Sequence, residues 1–197
     1  VRIWHWTMAA SVFVLFITGH FIGKPLHTLS GDTTKLFYLG YTIMAHYIAA
    51  FILVIGMVCR FIWAFFGNAV SRQIFLPRVW DKAWWADLLS DIKWYLFLTK
   101  EPRVHMGHNP LAQLGMGVCV LAIVLMCLTG LGIYQSKTSS SFFHLFRFVQ
   151  DFAYWTGGNV IDLVVWHRVG MVILVAFVII HLYMVIREEI MGRTTLI

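Results

Sequence analysis

Four runs of apolar residues, each long enough to cross a bilayer, constrain this chain more than any other feature. They cover about residues 4–22, 41–66, 111–134 and 163–186. A helix rising 1.5 Å per residue needs roughly 20 mostly apolar residues to cross the hydrocarbon core. Composition agrees: 60% of the 197 residues are hydrophobic and 12% charged, against about 45–50% and about 25% in soluble domains. A water-soluble domain of this length has too little interior to hide so much apolar surface. A soluble globule, a disordered tail and a disulfide-stapled secreted module are therefore excluded. The expectation is an all-α integral membrane four-helix bundle, a single transmembrane domain over 1–197 embedded in the lipid bilayer.

The net charge of +6 is explained by basic residues in loops, which set membrane topology; no nucleic-acid partner is expected. Cys59, Cys119 and Cys127 all lie in apolar stretches, with no CxxC and no CxxCH. They form no zinc or iron–sulfur framework and no c-type haem attachment site, and are expected to be small core residues. The first residue is Val1 rather than Met, so residues are expected ahead of it.

The connections differ. Residues 23–40 hold a Pro and an SGD turn signal and read as a short loop. In the long 67–110 connection, Trp80, Trp84, Trp85, Trp94 and Tyr95 alternate with Asp81, Lys82, Asp87, Asp91 and Lys93. That mixture predicts an amphipathic helix in the membrane interface. Residues 135–162 include a Ser-rich turn, the amphipathic piece SFFHLFRFVQDFAYW and a break at Gly157-Gly158. Four spans put both termini on one side. That side, with the 60–110 loop, carries ten Lys and Arg residues against five on the other, so both termini and the interfacial helix are expected in the cytoplasm.

Ionisable groups inside a span are rare and usually functional, so the histidines matter most. His167 and His181 lie 14 residues apart in the fourth run. That is just under four turns, so both rings fall near one face, about 21 Å apart along the axis. A b-type haem with two axial imidazoles needs a second histidine from another helix at each depth. His46 lies five residues into the second run and His167 five residues into the fourth, both counted from the outer surface. These two match in depth and are the expected ligands of an outer haem. His181, six residues before Arg187, and His5, within RIWHW, lie near the inner surface and are the expected ligands of an inner haem.

His20 is a rival to His46, although it lies roughly 60° off the face of His5, and its expected place is the outer surface beside Lys24. His27 and His144 are expected in solvated loops. His105 and His108 show an H-x2-H spacing but no further ligand nearby, so no zinc site is expected. Arg168 and Lys24 are placed to meet propionates of the outer haem, and Arg2, Arg60 or Arg187 those of the inner; snorkelling anchors would use the same positions. Gly19, Ala45, Ala49, Ala50 and Gly170 would admit a flat macrocycle or simply closely packed helices.

The stretches RIWHW, TGHFIGKPL, GHNPLAQ, DFAYWTGGNVID, WHRVGM and IIHLYMVIREEIM, with the spaced His46, together resemble the b-type cytochrome subunit of membrane-bound, periplasm-facing nickel–iron uptake hydrogenases. The resemblance covers essentially the whole chain. More distantly, the four-helix pattern is similar to cytochrome b subunits of formate dehydrogenase and thiosulfate reductase. The resemblance implies a subunit of the bacterial inner (cytoplasmic) membrane that anchors the hydrogenase small and large subunits. Hydrogen chemistry would belong to those partners. Electrons would pass from the small subunit's iron–sulfur clusters through one or two b haems to quinone. The family's haem-binding histidines fall on His5, His46, His167 and His181, leaving His20 out.

In the formate dehydrogenase relatives an Asn and a Gln contact the quinone; Asn109 and Gln113 match them here. An i, i+4 pair shares a helix face, although Asn109 before Pro110 would also serve as a helix cap. Residues 135–162, with Tyr154, Trp155, Gly157 and Gly158, suit either docking of the small subunit or an interfacial aromatic belt. A cytochrome serving another respiratory dehydrogenase or reductase is the alternative function. A colourless transporter with a histidine proton relay is a third.

Overall fold

The computed structural model describes residues 2–25, 37–67, 79–100, 109–155 and 158–191. Every regular element among them is helical: α1 (Arg2–Gly23), α2 (Tyr38–Phe66), α3 (Lys82–Tyr95), α4 (Pro110–Gln135), a 3-10 turn (Ser141–Phe146), α5 (Arg147–Trp155) and α6 (Val160–Met191). Helices α1, α2, α4 and α6 are long and apolar enough to cross a membrane, and each contains one of the four runs. The chain is an all-α, multi-pass membrane protein. It divides into two compact units, Val1–Phe66 and Gly67–Ile197.

The first unit is an antiparallel pair, α1 against α2. Gly56 makes the close approach possible. A Cβ there would lie 2.2 Å from the Met8 terminal methyl, and the bare backbone carbonyl accepts the Trp4 indole Nε1–H at 2.8 Å. Met8, Leu53 and Met57 are buried. Phe13, Phe16, Ile48, Ile55 and Ile62 point outward, as expected of side chains whose solvent is lipid rather than water.

The second unit is built on α4 against α6, also antiparallel: Gly132 meets Leu163, Gly130 meets His167, Gly170 meets Met126 and Gly115 meets Phe177. Asn109 caps α4, its Oδ1 accepting the Ala112 N–H at 2.6 Å, with Pro110 at the first helical position. Helix α5 closes the far end of α4. Gln150 Nε2 donates to the Gly132 carbonyl at 2.8 Å, and Phe143 of the 3-10 turn packs edge-on against Tyr134 at 4.8 Å.

The helix expected among the rings and charges of 67–110 is α3. Asp81 caps it, and Trp84, Leu88, Asp91, Trp94 and Tyr95 form its buried face. That face rests on one end of the α4–α6 pair. Trp84 Nε1 donates to Gln113 Oε1 at 3.2 Å, Tyr95 Oη donates to Glu188 Oε1 at 2.7 Å, and Tyr183 Oη donates to the Tyr95 carbonyl at 2.6 Å.

These contacts hold the end of α6, which runs to Met191. Its last turns, though charged, have a partner to grip. Arg187 is only 4% exposed. Its guanidinium donates to the Trp94 carbonyl and stacks over the rings of Trp94 (4.4 Å) and Phe97 (3.7 Å). Arg187, one of the cations considered for a propionate, is therefore a clamp between α6 and α3. Phe97 adopts φ +62°, the left-handed turn that brings its ring back under Arg187.

Candidate functional site

His46 sits on α2 opposite the Thr18-Gly19 pair of α1. The Thr18 hydroxyl lies 2.7 Å from the Val14 carbonyl and 2.9 Å from His46 Nδ1. A hydroxyl has one proton. Only a donated proton lets two oxygens approach to 2.7 Å, so that proton goes to Val14, one turn back along the helix. The Thr18 oxygen must then accept, and His46 Nδ1–H is the donor. In the neutral ring Nε2 consequently carries the lone pair. Gly19 lies beside the ring: a Cβ would fall 3.4 Å from His46 Cε1.

The second unit repeats the arrangement. Thr129 and Gly130 of α4 face His167 of α6. The Thr129 hydroxyl donates to the Leu125 carbonyl at 2.7 Å and accepts from His167 Nδ1 at 2.9 Å. A Cβ on Gly130 would lie 3.2 Å from His167 Cε1. Both threonines are buried. Sequence reasoning considered Gly19 but passed over Thr18, Thr129 and Gly130. The available signal was the Thr-Gly dipeptide, present in the first and third spans at 18–19 and 129–130.

Each unit also carries a second candidate. His5 lies in the first turn of α1, on an exposed face, its ring edge-on to Trp6 at 5.3 Å. It is 13 residues from Thr18, which places it about 20 Å along the axis from the level of His46. His181 lies on α6 with its ring stacked on Phe177 at 5.6 Å. The unbroken α6 helix puts it about 21 Å along the axis from His167. Of the four expected ligands each unit holds two, His5 and His46 in the first and His167 and His181 in the second, separated along the axis by nearly the same distance rather than brought together.

The remaining candidates are placed as follows. His20 is exposed near the end of α1, beside the Phe21 ring, and its carbonyl accepts the Lys24 N–H at 2.8 Å. His144 is exposed in the 3-10 turn. His27, His105 and His108 lie outside the described residues, as does Gly157. Asn109 and Gln113 share the first turn of α4, next to Trp84, Tyr95 and Glu188 of the α3 clamp. Burial and then the Glu188 carboxylate push the Tyr95 hydroxyl well above its usual pKa, with Asn109 acting in the opposite sense. Gly170 faces Met126 rather than a candidate ligand. Cys119 and Cys127 are half-buried in α4. No group of three or more His, Cys, Asp or Glu that could hold a metal ion occurs among the described residues.

Each helix pair thus offers one imidazole backed by a Thr-Gly pair. The family model for prokaryotic cytochrome b561 matches residues 1–197, the whole chain. The chain belongs to the prokaryotic cytochrome b561 family. Its relatives within that family carry a more particular name. A probable Ni/Fe-hydrogenase 1 B-type cytochrome subunit from Escherichia coli strain K12 is 46% identical over 197 residues, covering all of this chain and 84% of the relative. Probable Ni/Fe-hydrogenase B-type cytochrome subunits from Azotobacter vinelandii and Rhodobacter capsulatus are 41% and 34% identical, again over all of this chain and over 82% and 75% of theirs. Membership in this family implies a b-type haem.

Proposed function

We propose that this chain is the membrane-embedded cytochrome b subunit of a nickel–iron hydrogenase, anchoring the small and large subunits and delivering their electrons to quinone. The observation that carries this reading is the repeated axial spacing. Each helix pair presents histidines at two levels about 20 Å apart, which supports two bis-histidine haems at different depths, each taking one imidazole from either pair. His46 and His167 would hold the outer haem, and His5 and His181 the inner. Haem b, when bound, supplies a one-electron iron couple, and with both axial positions filled by imidazole it suits electron transfer rather than oxygen binding.

The chain's own residues do the rest. Thr18 and Thr129 hold two imidazoles in the tautomer whose lone pair is on Nε2. The apolar spans keep water and its protons from the site. Arg168 and Lys24 near one end, and Arg2 and Arg60 near the other, offer cationic partners for carboxylates. Asn109 and Gln113 are the proposed quinone contacts, since their amides can donate to or accept from a carbonyl-bearing ring. The excess of Lys and Arg on the terminal side supports an inner-membrane orientation with both termini in the cytoplasm.

A dithionite-reduced spectrum with pyridine haemochrome quantitation of the purified complex tests the reading. Two b haems per chain and co-purifying nickel are expected. A colourless protein would overturn the haem assignment. Haem without nickel, accompanied by another dehydrogenase, would overturn the hydrogenase assignment.

A further inference from the structure

We infer that Thr18 and Thr129 are positioning residues that select the ligating tautomer of His46 and His167 and set the reduction potential of the haem iron they hold. This rests on the haem reading above. It starts from an unusual commitment of both hydroxyls. A threonine that bonds back to its own helix ordinarily satisfies itself and does nothing more. Here each of the two buried oxygens also meets an imidazole of the facing helix at 2.9 Å.

Because the single hydroxyl proton is held at 2.7 Å by Val14 or Leu125, neither threonine can donate to Nδ1. The opposite tautomer, with its proton on Nε2 and its lone pair aimed at an oxygen lone pair, is excluded. It is also the one that cannot bind iron through Nε2.

The acceptor's chemistry carries a second consequence. A hydrogen bond from Nδ1–H makes the imidazole a stronger donor to the metal, which favours the oxidised iron. A neutral hydroxyl does so more weakly than the carboxylate that often occupies this position. The threonines therefore hold the potential between two limits: lower than with no acceptor, higher than with a carboxylate. Hydroxyls repeated in both units act in the same direction.

The test is a redox titration of the intact complex in membranes, followed through the b-haem absorbance, with low-temperature electron paramagnetic resonance of the oxidised haem as a second readout. Thr18→Val and Thr129→Val keep the side-chain shape and remove the acceptor; Thr18→Ser and Thr129→Ser keep the acceptor. Each Val variant is expected to shift one b-haem potential positive, by about tenfold in the oxidised-to-reduced ratio at fixed potential, or about 59 mV for a one-electron couple. The Ser variants should stay near wild type. If a Val variant loses haem, retention by the matching Ser variant supports the role of the hydroxyl, and loss in both overturns it. Unmoved potentials and an unmoved resonance spectrum in haem-replete Val variants overturn the inference while leaving the haem reading intact. Absence of haem from the wild-type complex overturns the haem reading itself, and this inference with it.

Discussion

The α1–α2 pair and the α4–α6 pair solve one problem in different surroundings. Both are antiparallel, and both set a buried threonine and a glycine against a histidine of the partner helix, with the same 2.9 Å contact. The second pair is braced at one end by α3, through Trp84, Tyr95 and Arg187, and at the other by α5 and the 3-10 turn. The first pair, within its own unit, relies on the helix–helix seam around Gly56 and Met8. The histidine clasp thus needs only two helices in the correct register. The braces serve another purpose, tying the ends of α4 and α6 to a helix that does not cross the membrane.

The comparison can be broken most directly at the rings themselves. Replacing His46 or His167 with Ala should abolish binding of the outer haem proposed for them, halving the haem content of a two-haem preparation. Pyridine haemochrome counting of the purified complex reads this, and an unchanged count for both would reject the assignment.

Arg187→Ala should come next in size. It removes the guanidinium donor from the Trp94 carbonyl, which keeps the Phe97 N–H as a partner, at a cost of about 1.5–3 kcal/mol for a hydrogen bond from a charged group, and removes two ring contacts. Hydrogen exchange over 82–95 should rise while α1 and α2 keep their protection; a uniform response in both units would contradict the division of roles.

A smaller and graded effect is expected at the glycines. Gly130→Ala puts a methyl 3.2 Å from the His167 ring, and Gly19→Ala one 3.4 Å from His46. The first should perturb its haem spectrum more than the second.

The smallest concerns pH. Burial and Glu188 raise the Tyr95 pKa above its usual 10, so the folded state holds this proton more tightly than the unfolded chain does. The resulting stabilisation of α3 docking is complete below pH 10 and declines as pH rises toward the elevated folded value. Tyr95→Phe should flatten that alkaline decline in a denaturation series.

Several of these features were open to sequence reasoning. Apolar length marked each span, since a bilayer imposes it directly. The alternating rings and charges marked α3, and Asn109 followed by Pro110 marked the start of α4. The 14-residue interval between His167 and His181 gave one face and one axial distance, because helical periodicity is local. Arg187, Glu188 and Glu189 mark the edge of the apolar run, and α6 continues past them to Met191. Arg187 and Glu188 are engaged by Trp94 and Tyr95, some ninety positions away in the chain.

What the sequence determined alone, then, is whatever depends on one helix at a time: which segments cross, where their caps fall, and how far apart two histidines lie on a single rod. The tertiary structure decided what depends on register between helices. Thr18 could have faced lipid, and Thr129 any residue of a neighbouring span. A change of 100° in helix rotation or of one turn in sliding would leave every one-dimensional pattern intact while parting each hydroxyl from its imidazole. Hydrogen bonds are short and directional, so only the packed pair, its approach set by Gly19 and Gly130, could single out these two threonines.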